Sequence, residues 1–180
     1  MTQVRELMIP GAYELQPVIN SDQRGCLIKS FDAPTYAAFG LTTHFAESYY
    51  SVSRHGVLRG LHFQCPPHDF VKVVYCISGT VMDAILDLRH SSPTYGKYVI
   101  TTLSSQQANL LYIPPGLAHG FYVMSDEAVT GYLTTKPYAP PADSGVLWNS
   151  AGIPWPDDHP IISARDGQLL PLAELGDIFS

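Results

Sequence analysis

The chain is sparing with charge, has few cysteines and no long apolar run, and each shortage excludes something. Charged residues make up 14% of its 180 residues and the formal net charge is -6. No basic run is present, which excludes nucleic-acid binding, because that needs a Lys/Arg-rich face. An anionic small ligand is not excluded, since a few cations in a pocket outweigh a mildly acidic surface. No tract approaches the ~20 apolar residues that carry a helix across a bilayer, so no membrane association is expected. The opening MTQVRELMIPG has no apolar stretch of the signal-peptide kind, and a cytoplasmic location is the expectation. Cys26, Cys65 and Cys76 are odd in number and form no CxxC. A disulfide framework is therefore not expected, and all three read as packing thiols. A Gly-x-Ser-x-Gly elbow is also missing, and no cysteine has an evident activator, so nucleophilic catalysis is disfavoured.

What is present is typical of β proteins. Residues 1–180 suit one compact domain. Fifteen prolines and 14 glycines are spread along the chain. Between them lie short runs rich in Val, Ile, Tyr, Phe and Thr: QPVIN, GCLIKSF, FVKVVYCIS, TVMDAILDL, GKYVITTL, NLLYIP, GFYVM and AVTGYLTT. Turn signals such as SDQRG, RHG, SSPTYG and PPG bound them, and many short strands at close spacing predict an all-β sandwich or barrel. One short helix is predicted over Pro34 to Phe39, with Asp32 as cap and Gly40 at its end. The proline-rich C-terminal stretch (PYAPPADSG, GIPWPDDHP, LLPL) is expected to wrap the barrel without regular structure.

Strand alternation sorts the polar residues by face. Gly60, His62 and Gln64 share one face of RGLHFQ, and Lys72, Val74 and Cys76 share one face of FVKVVYCI. A lysine inside an apolar run either snorkels at an edge or faces a functional cavity. The length and apolarity of the run favour the cavity. The turn Pro114-Pro115-Gly116 delivers His119 onto a strand, and Tyr132 shares a face with Thr134. Singly, each of these residues has a structural explanation; together they form an acid/base set. A three-ligand metal site would take something like His-x-His, a glutamate and a later histidine. Here the first position reads His62-Phe63-Gln64 with no glutamate following, which leaves too few ligands.

The strings SVSRHGVLRGLHFQCPP, KVVYCISGTVMDAILDLRHSSPTYG, IPPGLAHGFYV and GYLTTKPYAP closely resemble the dTDP-4-dehydrorhamnose 3,5-epimerase family. DQRG upstream and WNSAGIPWP and SARDG downstream follow the same pattern, so the resemblance covers roughly residues 17–172. It implies a cupin-type jelly-roll barrel with short flanking helices, a homodimer, no metal and no cofactor. The implied substrate is a nucleotide-diphosphate-linked 4-keto-6-deoxy sugar, epimerised at C3, C5 or both. By motif, His62 would be the base, Asp166 its orienting partner, Lys72 the cation at the keto oxygen and Tyr132 the acid on the opposite side of the sugar. Arg59 and Arg24 would contact the phosphates, with Arg24 reaching the partner subunit's site. Tyr138 would stack on the nucleotide base and His119 would line the pocket.

These residue types suit the chemistry. A proton beside a ketone is removable because the charge spreads onto oxygen as an enolate. A neutral imidazole is a suitable base near neutral pH, and a carboxylate partner fixes its tautomer. A cation at the oxygen stabilises the enolate, and arginine forks match a diphosphate.

The sequence also departs from the family pattern. Where that pattern reads Gln-x-Asn-x-Ser-x-Ser, this chain has Glu47-Ser48-Tyr49-Tyr50-Ser51-Val52-Ser53. An acid and a bulky phenol replace two amides at positions that the family likeness implies lie near the sugar and nucleotide. Two milder changes are Arg165 in place of a lysine and Asp143 in place of a glutamate. The nucleotide is therefore open between dTDP, CDP and GDP. A non-catalytic sugar-nucleotide-binding cupin and a metal-dependent cupin are the competing readings.

Overall fold

The computed structural model describes residues 2–179. Its strands are β1 (Gln3–Glu6), β2 (Tyr13–Gln16), β3 (Ile19–Asp22), β4 (Gly25–Ile28), β5 (Glu47–Arg54), β6 (Leu58–Gln64), β7 (Lys72–Ser78), β8 (Thr80–Asp87), β9 (Tyr98–Ser104), β10 (Leu110–Ile113), β11 (Leu117–Val123), β12 (Glu127–Thr134) and β13 (Asp143–Gly145), with one helix, α1 (Ala33–Ala38). A six-stranded antiparallel sheet runs β1-β2-β10-β7-β12-β5 and a five-stranded one runs β13-β6-β11-β8-β9. They pack face to face, and the expected jelly roll is observed.

Three apolar clusters explain why several strands read as continuous apolar runs. Val74, Val81, Ile85, Leu103, Phe121 and Tyr132 fill the space between the sheets. Met82, Ala84, Leu86, Ala118 and Leu58 point out of the five-stranded sheet and are covered by Ile153, Trp155 and Phe179 of the C-terminal stretch. Leu15, Val73, Leu110 and Tyr112 point out of the other sheet and are covered by Tyr36 of α1 and Leu41. β8 reads as a near-continuous apolar run because both of its faces are buried.

The helix lies one residue earlier than predicted. Asp32 caps it as expected, its carboxylate accepting from the Thr35 N–H at 3.1 Å, and Gly40 follows at φ +70°. The C-terminal stretch is irregular, as expected, and is pinned by single bridges such as Val57 to Ile161 and Val146 to Leu170. Among the described residues, three short 3-10 turns complete the helical content. β5, with the serine-rich sequence ESYYSVSR, is absent from the predicted apolar runs because only alternate residues of this edge strand face the barrel.

One cysteine departs from expectation. Cys76 is buried and Cys65 half-buried, but Cys26 is exposed. It sits on the β3–β4 hairpin, which is a separate two-stranded sheet and stands clear of the packed layers.

Candidate active site

One end of the space between the sheets is open. A cleft of about 520 Å³ is lined by Glu47, Tyr49, His62, Gln64, Phe70, Lys72, Thr134, Tyr138 and Asp143. It meets an inner chamber of about 180 Å³ lined by Tyr49, Ser51, Arg59, His62, Lys72, His119, Phe121 and Tyr132. Together they have the size of a small-ligand site.

The two sheets contribute different chemistry. From the six-stranded sheet, a cross-strand row places Glu47 beside Thr134 and Thr134 beside Lys72, and a second row places Tyr49 beside Tyr132. From the five-stranded sheet, His62 pairs with His119 and Gln64 with Asp143. His62 and Tyr132 therefore reach the chamber from opposing sheets, so a ligand between them is touched on two faces.

Arg59 and His62, three residues apart, should face opposite sides of a regular strand. The β6–β11 pairing shifts register between His119 and Phe121, and such a bulge resets the alternation. Gly60 occupies the shift at φ +126°, where an added Cβ would lie 2.6 Å from the Gly120 Cα and 2.7 Å from the His119 carbonyl oxygen. Arg59 thus turns inward, and its Nε donates to Ser53 Oγ at 2.8 Å.

His62 Nε2 donates to Asp166 Oδ1 at 2.7 Å, which leaves Nδ1 as the basic nitrogen. Asp166 is almost fully buried and also accepts from the Gly60 N–H at 3.3 Å. Burial opposes its charge, but the His62 and Gly60 bonds outweigh that and hold the carboxyl below the usual carboxylate range. Its negative charge favours the imidazolium that a base becomes after taking a proton.

Lys72 is 8% exposed. Burial lowers its ammonium to about 8, against the opposing pull of Asp83 and Asp143. It faces the cavity, the alternative favoured by its apolar run. His119 lines the chamber and donates from Nε2 to Asp83 Oδ2 at 2.8 Å. Burial pushes the His119 imidazole down and the Asp83 carboxyl up, toward their neutral forms. Tyr132 is buried, which raises its phenol, and its hydroxyl lies 3.2 Å from Ser51 Oγ. Two histidine–aspartate pairs thus converge on one chamber. Among the described residues, no three His, Cys, Asp or Glu side chains are grouped to hold a metal ion.

The rim joins the remaining predicted residues. The Tyr138 hydroxyl donates to Asp143 Oδ2 at 3.0 Å, and Arg165 Nη2 lies 2.8 Å from Asp143 Oδ1. Arg24 is the exception. It lies in the β3–β4 turn, largely exposed and paired with Asp22, and does not line its own chain's cleft.

The sequence profile of dTDP-4-dehydrorhamnose 3,5-epimerases matches residues 6–174. The chain belongs to this family. The dTDP-4-dehydrorhamnose 3,5-epimerase of Shigella flexneri is 40% identical over 161 residues, covering 88% of this chain and 89% of that protein. The dTDP-4-dehydrorhamnose 3-epimerase of Streptomyces niveus is 38% identical, covering 97% and 86%. The crystal structure of dTDP-6-deoxy-D-glucose-3,5-epimerase from Legionella pneumophila, in complex with dTDP-4-keto-L-rhamnose, superposes with a TM-score of 0.93 at 32% identity, covering 97% of this chain and 95% of that one.

Two residues that the sequence did not assign to the site, Asp83 and Ser51, contact the acid/base set, at His119 and Tyr132. Asp83 interrupts TVMDAILDL as Lys72 interrupts its own run, and it shares a face with Val81 and Ile85, so alternation was the signal that could have found it. Ser51 gave no signal, because its place beside Tyr132 depends on the pairing of β5 with β12. Among the described residues, no helix is long and apolar enough to cross a membrane.

Proposed function

We propose that this protein is an epimerase that inverts C3, C5 or both in a nucleotide-diphosphate-linked 4-keto-6-deoxy sugar. The reaction serves the making of a deoxysugar for a surface polysaccharide or a secondary metabolite. The observation that carries the reading is the placement of the His62–Asp166 pair and of Tyr132 on opposing sheets of one chamber, which the buried Lys72 also lines. His62 removes the proton beside the keto group. Lys72 stabilises the enolate oxygen, and Tyr132 returns a proton from the opposite face. His119, held by Asp83, lines the sugar pocket. Arg59 receives phosphate. Tyr138, Asp143 and Arg165 at the rim, with Glu47 and Tyr49, read the nucleotide and sugar. No step calls on a metal or cofactor.

The test is NMR-detected deuterium incorporation from deuterated water into dTDP-, CDP- and GDP-linked 4-keto sugars. Incorporation beside the keto group, lost in His62→Ala, is the expected result. Undiminished incorporation in that variant refutes the assigned base. Exchange at both carbons with the dTDP-linked 6-deoxyglucose derivative alone refutes a role for Glu47 and Tyr49 in choosing another substrate.

The same reading includes a homodimer. Tyr50 and Val52 on the outer face of β5, with Ile77 of β7, are exposed apolar residues on and near an edge strand, a surface that soluble proteins usually cover. Arg24, remote from its own cleft, is then available to a partner's. Mixing Arg24→Ala with His62→Ala chains restores activity if each dimer site draws on both. Three unpaired cysteines fit a reducing, cytoplasmic setting.

A further inference from the structure

Tyr132, the proton donor in the proposed reaction, is gripped from one side by β5. Its ring lies against that of Tyr49, with centroids 4.7 Å apart and 19° between the planes. The two residues are direct cross-strand partners. Two positions further along the same face of β5, Ser51 Oγ lies 3.2 Å from the Tyr132 hydroxyl. A flat contact on the ring and a hydrogen bond at its tip together restrict both side-chain torsions of Tyr132. Elsewhere the ring borders the apolar cluster between the sheets and the chamber it shares with His62, Lys72 and His119.

Tyr49 has a second geometric property. It lines both the outer cleft and the inner chamber, so its ring stands where the two meet. What it offers Tyr132 is the flat face of its ring. Its contribution is therefore shape and contact.

We propose that Tyr49 is a positioning and specificity residue, whose stacked ring fixes the direction in which Tyr132 delivers its proton and so favours one of the two carbons flanking the keto group. This rests on the epimerase reading above. The two carbons lie on opposite sides of the carbonyl. One donor serves both only if its ring swings or the sugar turns between the two events. Stacking opposes the first motion, and the bulk of Tyr49 at the constriction opposes the second.

The experiment resolves deuterium incorporation at C3 and C5 separately, by NMR, for the wild type and for Tyr49→Ala, Tyr49→Leu and Tyr49→Phe, alongside kcat and KM. The wild type is expected to exchange one carbon much faster than the other. Tyr49→Ala should shift the ratio toward the second carbon by up to about tenfold, the range a stacked aromatic pair supports. Tyr49→Leu, which keeps bulk but not the flat face, should shift it part of the way and serves if the alanine variant fails to fold. Tyr49→Phe keeps the stack and should keep the wild-type ratio. Equal exchange at both carbons in the wild type overturns the proposal. So does an unchanged ratio in whichever of the alanine and leucine variants fold. If the wild type exchanges neither carbon of any sugar tested, the epimerase reading itself fails and this inference with it. Exchange in the wild type with unaltered ratios in the variants refutes this inference alone.

Discussion

Replacing Lys72 with methionine should make the protein more stable and much less active. The drop of its ammonium from 10.5 to about 8, at ~1.4 kcal/mol per pH unit, corresponds to about 3 kcal/mol. That is the cost of holding the charge in the pocket rather than in water. Methionine has a similar volume and removes the cost. Part of the gain is offset, because the fully buried Asp83 loses a positive neighbour that favours its carboxylate. A net gain of about 1–2 kcal/mol is expected near neutral pH, which raises Tm by about 2–8 °C for a chain of this length. The folded-state value lies below the unfolded one. The penalty is therefore fully present below about pH 8 and is relieved between about 8 and 10.5, as the folded state gives up its proton first. Wild-type stability should thus climb relative to the variant across that interval. The charge that destabilises the resting protein is the one proposed to meet the enolate oxygen, so turnover should fall by about 10²–10³. Calorimetry at about pH 7 and about pH 9.5, with deuterium incorporation on the same samples, checks both signs. A variant less stable than the wild type near neutral pH, or one that turns over within about threefold of it, refutes the reasoning.

Asp166→Asn should keep the fold but lower kcat by about 10²–10⁴, because the imidazole loses both its tautomer control and the charge that favours its protonated form. The lowered carboxyl of Asp166 contributes stability above the ordinary carboxylate range that is lost as pH falls through its folded value, so the variant's acid unfolding should lack that component. Tyr132→Phe preserves the ring stack and removes the proposed donor. It should lose inversion by about 10²–10⁴, while His62 still exchanges the proton with retention, which chiral product analysis and NMR distinguish. Gly60→Ala forces a Cβ to within 2.6 Å of the Gly120 Cα at φ +126°; a loss of more than about 3 kcal/mol in denaturant unfolding is expected, and a loss under about 1 would refute the steric account.

Much of the site was legible before the fold was. Lys72 betrayed itself by interrupting an apolar run, and the ordered motifs around His62, His119, Tyr132 and Asp166 pointed to one chemistry. The Asp166 partnership was implied by family likeness alone, since 104 positions separate it from His62. Arg24 shows the opposite limit. Its motif was readable, but one chain does not bring it to its own cleft.

The sequence by itself determined the strand periods, the capped helix, the absence of a basic face and the residue types of the reaction, because each is written in local spacing or in composition. The tertiary structure decided what depends on register between distant strands. It placed His62 and Tyr132, the proposed base and acid, on opposing sheets. A bulge at Gly60 turned Arg59 inward, against simple alternation. Asp83 was set on His119, and Tyr49 was laid flat on Tyr132. A strand's own sequence fixes which of its faces is apolar, but not which neighbour it pairs with, and each of these contacts is made across such a pairing or between the two sheets.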